Sequence, residues 1–144
     1  MPTIQTLAPP LRTTPYLPKR SPAKPRVLLA DDYVPLLKAL TRLLERDCHL
    51  VGHATTVAEL FELVEICQPD VVVLDISLPD RNGIEACRQL RLVQPAVKIV
   101  MLTAMDDERI REAALQAGAS DFVTKALVHE CLEAAIHSAV AERR

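Results

Sequence analysis

We predict an α/β fold for this chain, a single five-stranded parallel β-sheet with helices on both faces. From Arg26 onward, short apolar runs alternate with amphipathic helical patterns five times, and such alternation is typical of a parallel sheet. The central run, Val71 to Leu74, is entirely apolar and rich in β-branched residues, as expected for a strand buried on both faces. A length of 144 residues suits one domain.

The first unit begins with the apolar strand Val27 to Ala30, which leads into Asp31 and Asp32. Pro35 then lies near a helix start, where its missing N–H costs nothing. The inward face of this helix is a row of leucines, namely Leu36, Leu37, Leu40, Leu43 and Leu44.

The second unit has a weaker strand, His49 to Ala54. Thr56 and Glu59 form a capping box that predicts the start of the next helix. Its inward face is expected to contain Leu60, Leu63, Val64 and Cys67.

The third unit is the central strand, which ends on Asp75. The segment Pro79 to Gly83 then turns the chain into a helix from about Ile84 to Leu92. Its inward residues are predicted to be Ile84, Cys87 and Leu90.

The fourth strand, Val97 to Leu102, ends on Thr103. The following helix is predicted over Asp106 to Ala117, with Gly118 as its C-terminal cap. Its apolar residues at helical spacing are Ile110, Ala113, Ala114 and Ala117.

The fifth strand, Asp121 to Thr124, ends on Lys125, and a last helix is predicted from Leu127 to about Ala141. One side of that helix carries Val128, Cys131, Leu132, Ala135 and Ala139. We therefore expect helices on both faces of the sheet throughout the domain.

Residues 1–25 differ from the rest of the chain because they contain seven of its eleven prolines. We predict a disordered, basic arm over residues 1–25 and a folded domain over 26–144. A targeting peptide is the alternative, but the prolines disfavour the amphipathic helix that it needs. A weak docking role for the arm stays open.

Charge is distributed unevenly along the chain. Residues 1–26 contain five basic and no acidic residues, whereas from Val27 onward 12 Lys and Arg stand against 19 Asp and Glu, a net of −7. Phosphate contacts need a basic face, so the acidic body argues against nucleic-acid binding.

The sequence also bears on location. No run approaches the roughly 18 apolar residues of a membrane span, and no signal-peptide pattern opens the chain. The four cysteines are widely spaced, without a C-x-x-C pair, so we expect free thiols in a cytoplasmic protein.

Four of the five predicted strands end in polar residues, which are Asp31 with Asp32, Asp75, Thr103 and Lys125. The carboxyl ends of parallel strands meet at one edge of a sheet, where α/β folds bind their ligands. Taken singly, each has another interpretation. The Asp pair and Thr103 are also good helix N-caps, and Lys125 also suits an ordinary surface position.

Together these residues suggest phosphoryl-transfer chemistry. Charges about 4 Å apart repel by roughly 4 kcal/mol at an effective dielectric of 20, so clustered carboxylates need a cation or raised pKa values. Several oxygen ligands suit Mg²⁺, which favours a phosphate as an additional ligand. A carboxylate nucleophile, Mg²⁺, a lysine and a hydroxyl together form a phosphoryl-transfer site.

From Val27 to Ala141 the chain resembles a bacterial two-component response-regulator receiver domain, which has a flavodoxin-like (βα)5 fold. The matching pieces are Leu29-Ala30-Asp31-Asp32, Val73 to Pro79 with Asn82-Gly83, Thr103-Ala104 and Gly118 to Lys125. The Gly118-Ala-Ser sequence and the run from Leu78 to Ala86 look closest to the NarL/FixJ-type branch.

The resemblance implies a role for each acidic residue of the site. Asp75 would accept a phosphoryl group from the phosphohistidine of a sensor histidine kinase. Asp32 would bind Mg²⁺ directly, with Asp31 assisting. Asp75 and the Ser77 main-chain carbonyl would be further ligands.

The resemblance also implies a switch. Thr103 and Lys125 would hold the phosphoryl oxygens, and Phe122 would be the aromatic residue that turns inward as Thr103 moves. Read without the family, Phe122 is a core aromatic at a strand end. Many receivers carry a proline after the lysine, and here that position is Ala126.

We therefore expect a stand-alone, Mg²⁺-dependent receiver that is no enzyme toward outside substrates, since it acts only on its own Asp75. The face formed by the fourth helix, fifth strand and last helix would bind an output protein or a second copy. One alternative is the receiver part of a NarL/FixJ-type DNA-binding regulator, because such regulators usually continue into a helix-turn-helix. The other is a receiver-like interaction module that works without phosphorylation.

Overall fold

The structure, a computed structural model, describes residues 24–142. The strands are β1 (Arg26–Ala30), β2 (His49–Ala54), β3 (Val71–Asp75), β4 (Lys98–Thr103) and β5 (Asp121–Thr124). The helices are α1 (Val34–Leu44), α2 (Val57–Cys67), α3 (Gly83–Val93), α4 (Glu108–Gln116) and α5 (Val128–Ala141), with a 3-10 turn at Lys125–Leu127. The predicted arm lies, except for its last two residues, outside the described range.

All strand pairs are parallel, and their order is β2-β1-β3-β4-β5. This is the predicted flavodoxin-like (βα)5 fold. The central strand β3 pairs with β1 on one side and β4 on the other, so the residues that follow it lie in the middle of the sheet edge.

Two hydrophobic cores form because successive strand side chains point to opposite faces. Val71 and Val73 of β3 pack on one face, against α1 and α5, with Leu40, Leu132 and Ile136 among the buried residues. Val72 and Leu74 pack on the other, against α2, α3 and α4, with Leu60, Leu90 and Ala114 among the buried residues. Burial on both faces explains why β3 is an unbroken apolar run.

Two predicted helix ends are confirmed. The Thr56 side chain accepts a hydrogen bond from the Glu59 N–H (3.1 Å), while the Glu59 carboxylate reaches back to the Thr55 N–H (2.8 Å). Gly118 follows α4 with φ of 108°, a conformation that side chains rarely adopt. The Ala119 N–H then donates to the Ala114 carbonyl (3.1 Å), which completes a Schellman-type cap.

Three sequence predictions differ from the structure in detail. Cys131 was expected on the inward face of α5 but is exposed, because the buried stripe continues through Ile136 instead. α4 begins at Glu108, with Asp107 as its N-cap, two residues later than predicted. The 3-10 turn at Lys125–Leu127 delays the start of α5 to Val128.

All four cysteines are free thiols. Burial raises the pKa of Cys48 and of Cys87 to about 11, so these two are protonated and unreactive at neutral pH. Among residues 24–142, no helix has both the length and the apolar character needed to cross a bilayer.

Candidate functional site

The polar residues that end β1, β3 and β4 are buried at the same edge of the sheet. In the described part of the chain, Asp31, Asp75 and Thr103 are the buried polar or charged residues. Asp32 lies beside them and is exposed. Lys125 follows β5 and completes the group of strand ends predicted from the sequence.

Lys125 lies between the two buried carboxylates. Its Nζ is 2.8 Å from Oδ2 of Asp31 and 3.3 Å from Oδ2 of Asp75. About a quarter of the lysine side chain is exposed, whereas both carboxylates are almost fully enclosed. The interpretation of Lys125 as an ordinary surface lysine is therefore wrong.

The pKa shifts at the site follow from this geometry. Burial, and then the charge of Asp31, raise the pKa of Asp75, although the Ser77 N–H and Lys125 partly offset them. Desolvation alone would lower the pKa of Lys125, but the bond to Asp31 and the two carboxylate charges outweigh it and raise that pKa. One lysine cation thus faces two buried carboxylates and does not fully balance them.

Asp31 is held by main-chain contacts on both sides. Its N–H donates to the Ala54 carbonyl at the end of β2 (3.0 Å), and its Oδ1 accepts from the Tyr33 N–H (2.8 Å). The N-cap of α1 is Tyr33, without a side-chain cap bond. The alternative in which the Asp pair caps α1 is therefore wrong.

The loop after β3 folds tightly around Asp75. The Ser77 N–H donates to Oδ1 of Asp75 (3.2 Å), and the Gly83 N–H donates to the Ile76 carbonyl (2.6 Å). A Cβ on Gly83 would lie 2.3 Å from the Asp75 carbonyl oxygen, so only glycine fits there. The Asn82 side chain caps α3 by accepting from the Ile84 N–H (2.7 Å).

Thr103 is buried at the end of β4, one residue beyond the partner of Asp75 in the strand register. Its hydroxyl oxygen accepts a hydrogen bond from the Met105 N–H (3.1 Å). The N-cap of α4 is Asp107, which accepts from the Arg109 N–H (2.8 Å). Thr103 is therefore not the N-cap of that helix.

Phe122 points inward in this structure. Its side chain is 4% exposed and packs in the core shared with α4. The guanidinium of Arg111 lies over the ring, 5.2 Å from its centroid, within the range of a cation–π contact.

The donor set fits a divalent cation. Within residues 24–142, Asp31, Asp32 and Asp75 are the one group of three metal-ligating side chains, and their oxygen atoms lie within 4.8 Å of one another. Oδ2 of Asp31 is buried, with Nζ of Lys125 as its close donor at 2.8 Å. An all-oxygen cluster of three carboxylates that one lysine cation does not balance is a suitable site for a hard cation such as Mg²⁺.

Sequence reasoning missed Asp80. Both of its carboxylate oxygens accept hydrogen bonds from the start of α2, from the Val57 N–H (2.8 Å) and the Ala58 N–H (3.0 Å). In the sequence Asp80 is only one residue of a turn, and no local pattern links it to a helix start 23 residues earlier.

This fold and edge site together define a signalling module of the receiver class. The family model of the response regulator receiver domain matches residues 27–137. The chain belongs to that family, and it is a response regulator receiver domain of two-component systems.

The proteins and solved structures that are similar to this chain include response regulators. The DNA-binding transcriptional activator DevR/DosR of Mycobacterium tuberculosis is 41% identical over 102 residues, which are 69% of this chain and 47% of that protein. A two-component response regulator of the LuxR family from Aurantimonas has a TM-score of 0.79 at 34% identity, over 85% of this chain and 89% of that one. The receiver domain of the response regulator NarL from Mycobacterium tuberculosis has the same TM-score, 0.79, at 27% identity, over 85% of this chain and 100% of that one.

These comparisons agree with the predicted NarL/FixJ-like branch. The chain spans about half the length of the curated relatives it matches first, 47% and 42%. Receiver domains are in general signalling modules that interact with histidine kinases and output domains.

Proposed function

We propose that this chain is a phosphorylation-dependent switch in which Asp75 accepts a phosphoryl group from the phosphohistidine of a sensor histidine kinase. The observation that carries the proposal is the placement of Lys125 Nζ between Oδ2 of Asp31 and Oδ2 of Asp75. A lysine that already neutralises carboxylate oxygens is suitably placed to neutralise phosphoryl oxygens.

In the proposed reaction, an Asp75 carboxylate oxygen forms a bond to phosphorus while the bond between phosphorus and the imidazole nitrogen breaks. The imidazole keeps the electron pair of that bond and takes up a proton. The carboxylate must be ionised to attack.

The other site residues would bind Mg²⁺ or contact the phosphoryl oxygens. Asp31, Asp32 and the Ser77 carbonyl would hold Mg²⁺, which when bound neutralises charge on the phosphoryl oxygens. Lys125 would pair with one phosphoryl oxygen, and the Thr103 hydroxyl would donate a hydrogen bond to another.

The first test is the intact mass after incubation with acetyl phosphate and Mg²⁺, for the wild type and for Asp75→Ala. We expect one added phosphoryl group on the wild type alone. A folded wild type that takes up none would contradict the proposal and favour the phosphorylation-independent module.

The switch is the second part of the proposal. Phosphorylation would draw Thr103 toward the new phosphate, hold Phe122 inward and remodel the face formed by α4, β5 and α5, which would then bind an output protein or a second copy. Phe122 lies inward under Arg111 in this structure, and both residues belong to that face. We expect beryllofluoride with Mg²⁺ to shift the amide resonances of residues 103–125, and an unchanged spectrum would exclude this switch.

A second candidate is the receiver part of a DNA-binding regulator. It is favoured by the similarity to DevR/DosR, a DNA-binding transcriptional activator that is 41% identical over 102 residues. The acidic body makes DNA binding by residues 26–144 unfavourable. A gel shift with and without residues 1–25 tests whether this chain itself contacts DNA, and we expect no shift from either.

A further inference from the structure

The loop that follows the proposed phosphoacceptor is attached to a helix that contributes no residue to the site. Asp80 lies five residues after Asp75, and its carboxylate accepts the N–H groups of Val57 and Ala58 at 2.8 and 3.0 Å. Thr56 caps the same helix by accepting from the Glu59 N–H. The first three N–H groups of α2 are therefore bonded, two of them by the loop.

This contact closes a ring, formed by chain segments and hydrogen bonds, that passes through Asp31 and Asp75. Asp31 is joined through its N–H to the Ala54 carbonyl at the end of β2 (3.0 Å). From Ala54 the chain runs directly into α2, whose first N–H groups bind Asp80. Asp80 then leads back along the loop to Asp75, so the two carboxylates are connected through α2 as well as through the sheet.

The ring opposes the electrostatic repulsion between the Asp31 and Asp75 carboxylates. The oxygen atoms of Asp31 and Asp75 lie within 4.8 Å of one another, and charges at such a distance repel. The loop between Ser77 and Asn82 is held at its base by the Ser77–Asn82 bridge and by the buried side chain of Leu78. At its tip Arg81 bonds to Gln89 of α3, and Asp80 is the contact that ties the loop to α2. Loss of the Asp80 contact would let the loop and its ligand groups move away from the site.

We propose that Asp80 is a positioning residue, which holds the loop after β3 against α2 and so fixes the spacing of the Asp31 and Asp75 carboxylates for metal binding. This inference rests on the proposed function of the site. The two N–H donors also lower the pKa of Asp80, so its carboxylate stays ionised and able to accept both bonds at neutral pH.

The test compares Asp80→Ala with Thr56→Ala, because both remove a cap from α2 and only the first releases the loop. Mg²⁺ affinity is measured by titration, followed by the amide resonances of residues 75–83, since the chain contains no tryptophan. We expect both variants to lower the unfolding midpoint. Only Asp80→Ala should weaken Mg²⁺ binding, by several-fold.

A second measurement needs no metal. Hydrogen exchange of the Gly83 N–H, which bonds the Ile76 carbonyl, reports directly on the loop in the metal-free protein. We expect faster exchange in Asp80→Ala and wild-type exchange in Thr56→Ala. Asp80→Asn keeps one acceptor oxygen and replaces the other with an NH2 donor, so we expect Mg²⁺ affinity and protection between those of the wild type and those of Asp80→Ala.

Two results would overturn the inference. The first is wild-type Mg²⁺ affinity and exchange in Asp80→Ala. The second is an equal loss in Thr56→Ala, which would assign the effect to the stability of α2. A wild type without acetyl phosphate labelling would instead contradict the proposed function, while the exchange data would still measure the contact.

Discussion

At the scale of single residues, the fold holds two buried carboxylates, Asp31 and Asp75, against the single positive charge of Lys125. Lys125 contacts both buried carboxylates, yet the pKa of Asp75 is raised because burial and the charge of Asp31 outweigh the lysine. A carboxylate held under such conditions costs stability in the metal-free protein. A bound cation would relieve that cost.

The first prediction concerns Asp75→Asn. Without Mg²⁺ the neutral amide removes the repulsion with Asp31, so we expect the free energy of unfolding at pH 7 to rise by on the order of 1 kcal/mol. With Mg²⁺ the wild type should gain more stability than the variant, because the metal binds the folded state. Urea unfolding of both proteins with and without Mg²⁺ checks both effects.

The difference in stability between Asp75→Asn and the wild type should depend on pH. The raised folded pKa means that the folded wild type binds the Asp75 proton more tightly than the unfolded chain does. Wild-type stability therefore falls as pH rises through the window between the ordinary value of 3.8 and the raised folded pKa. The advantage of Asp75→Asn should appear only as pH rises through that window, and an advantage that persists below it would contradict this account.

At the scale of elements, the start of α3 is pressed against the end of β3. A Cβ at Gly83 would lie 2.3 Å from the Asp75 carbonyl oxygen and 2.6 Å from Cα of Ile76. Both neighbours are main-chain atoms next to the site. The position of α3 and the path of the loop after Asp75 therefore depend on this glycine.

The second prediction compares Gly83→Ala with Gly52→Ala. We expect Gly83→Ala to cost about 1–3 kcal/mol of stability, as overpacking does, and to weaken Mg²⁺ binding, because α3 and the loop must shift. At Gly52 the nearest atom to an added Cβ is the side-chain tip of Leu28, at 3.2 Å, which can yield. Gly52→Ala should stay within about 1 kcal/mol of the wild type, and equal losses would contradict the clash.

The third prediction concerns the contact between α4 and β5. Removing the Arg111 guanidinium from the Phe122 ring forfeits a contact of about 0.5–1 kcal/mol that favours the inward ring. If the inward ring belongs to the activated state, Arg111→Ala weakens beryllofluoride binding by about two- to fivefold. Arg109→Ala is the matched control, since the side chain of Arg109 is 92% exposed, and an equal effect in both variants would exclude the ring contact as the cause.

At the scale of the whole molecule, the domain is one sheet with a hydrophobic core on each of its two faces. The first strand begins at Arg26, and the family model matches from residue 27. The fold and the proposed phosphoryl chemistry should therefore not need the proline-rich residues that precede them.

The fourth prediction is that removal of residues 1–23 leaves the thermal midpoint and the acetyl phosphate labelling of Asp75 unchanged. The reason is that both cores and the whole acidic site lie within the described range. Thermal unfolding and intact mass, measured on the full chain and the shortened one, check this. A lower midpoint in the shortened chain would place part of the folded domain before residue 24.

Several elements show how far sequence reasoning reached. The unbroken apolar run of β3, the capping box at Thr56 and the Gly118 cap were readable because each depends on residues close together in the chain. The prediction that Cys131 lies on the inward side of α5 is wrong. Residues at the margin of a helical stripe are buried or exposed according to the neighbouring elements.

By itself the sequence determined the five strand–helix units, the two-sided burial of the sheet and the common edge at which Asp31, Asp75, Thr103 and Lys125 emerge. These follow from local periodicity and from the parallel direction of the strands. Only the tertiary structure decided that Lys125 lies between two carboxylates and that Asp80 caps α2. Both contacts join residues far apart in the chain, and their geometry depends on how helices and loops pack side by side, which no local pattern encodes.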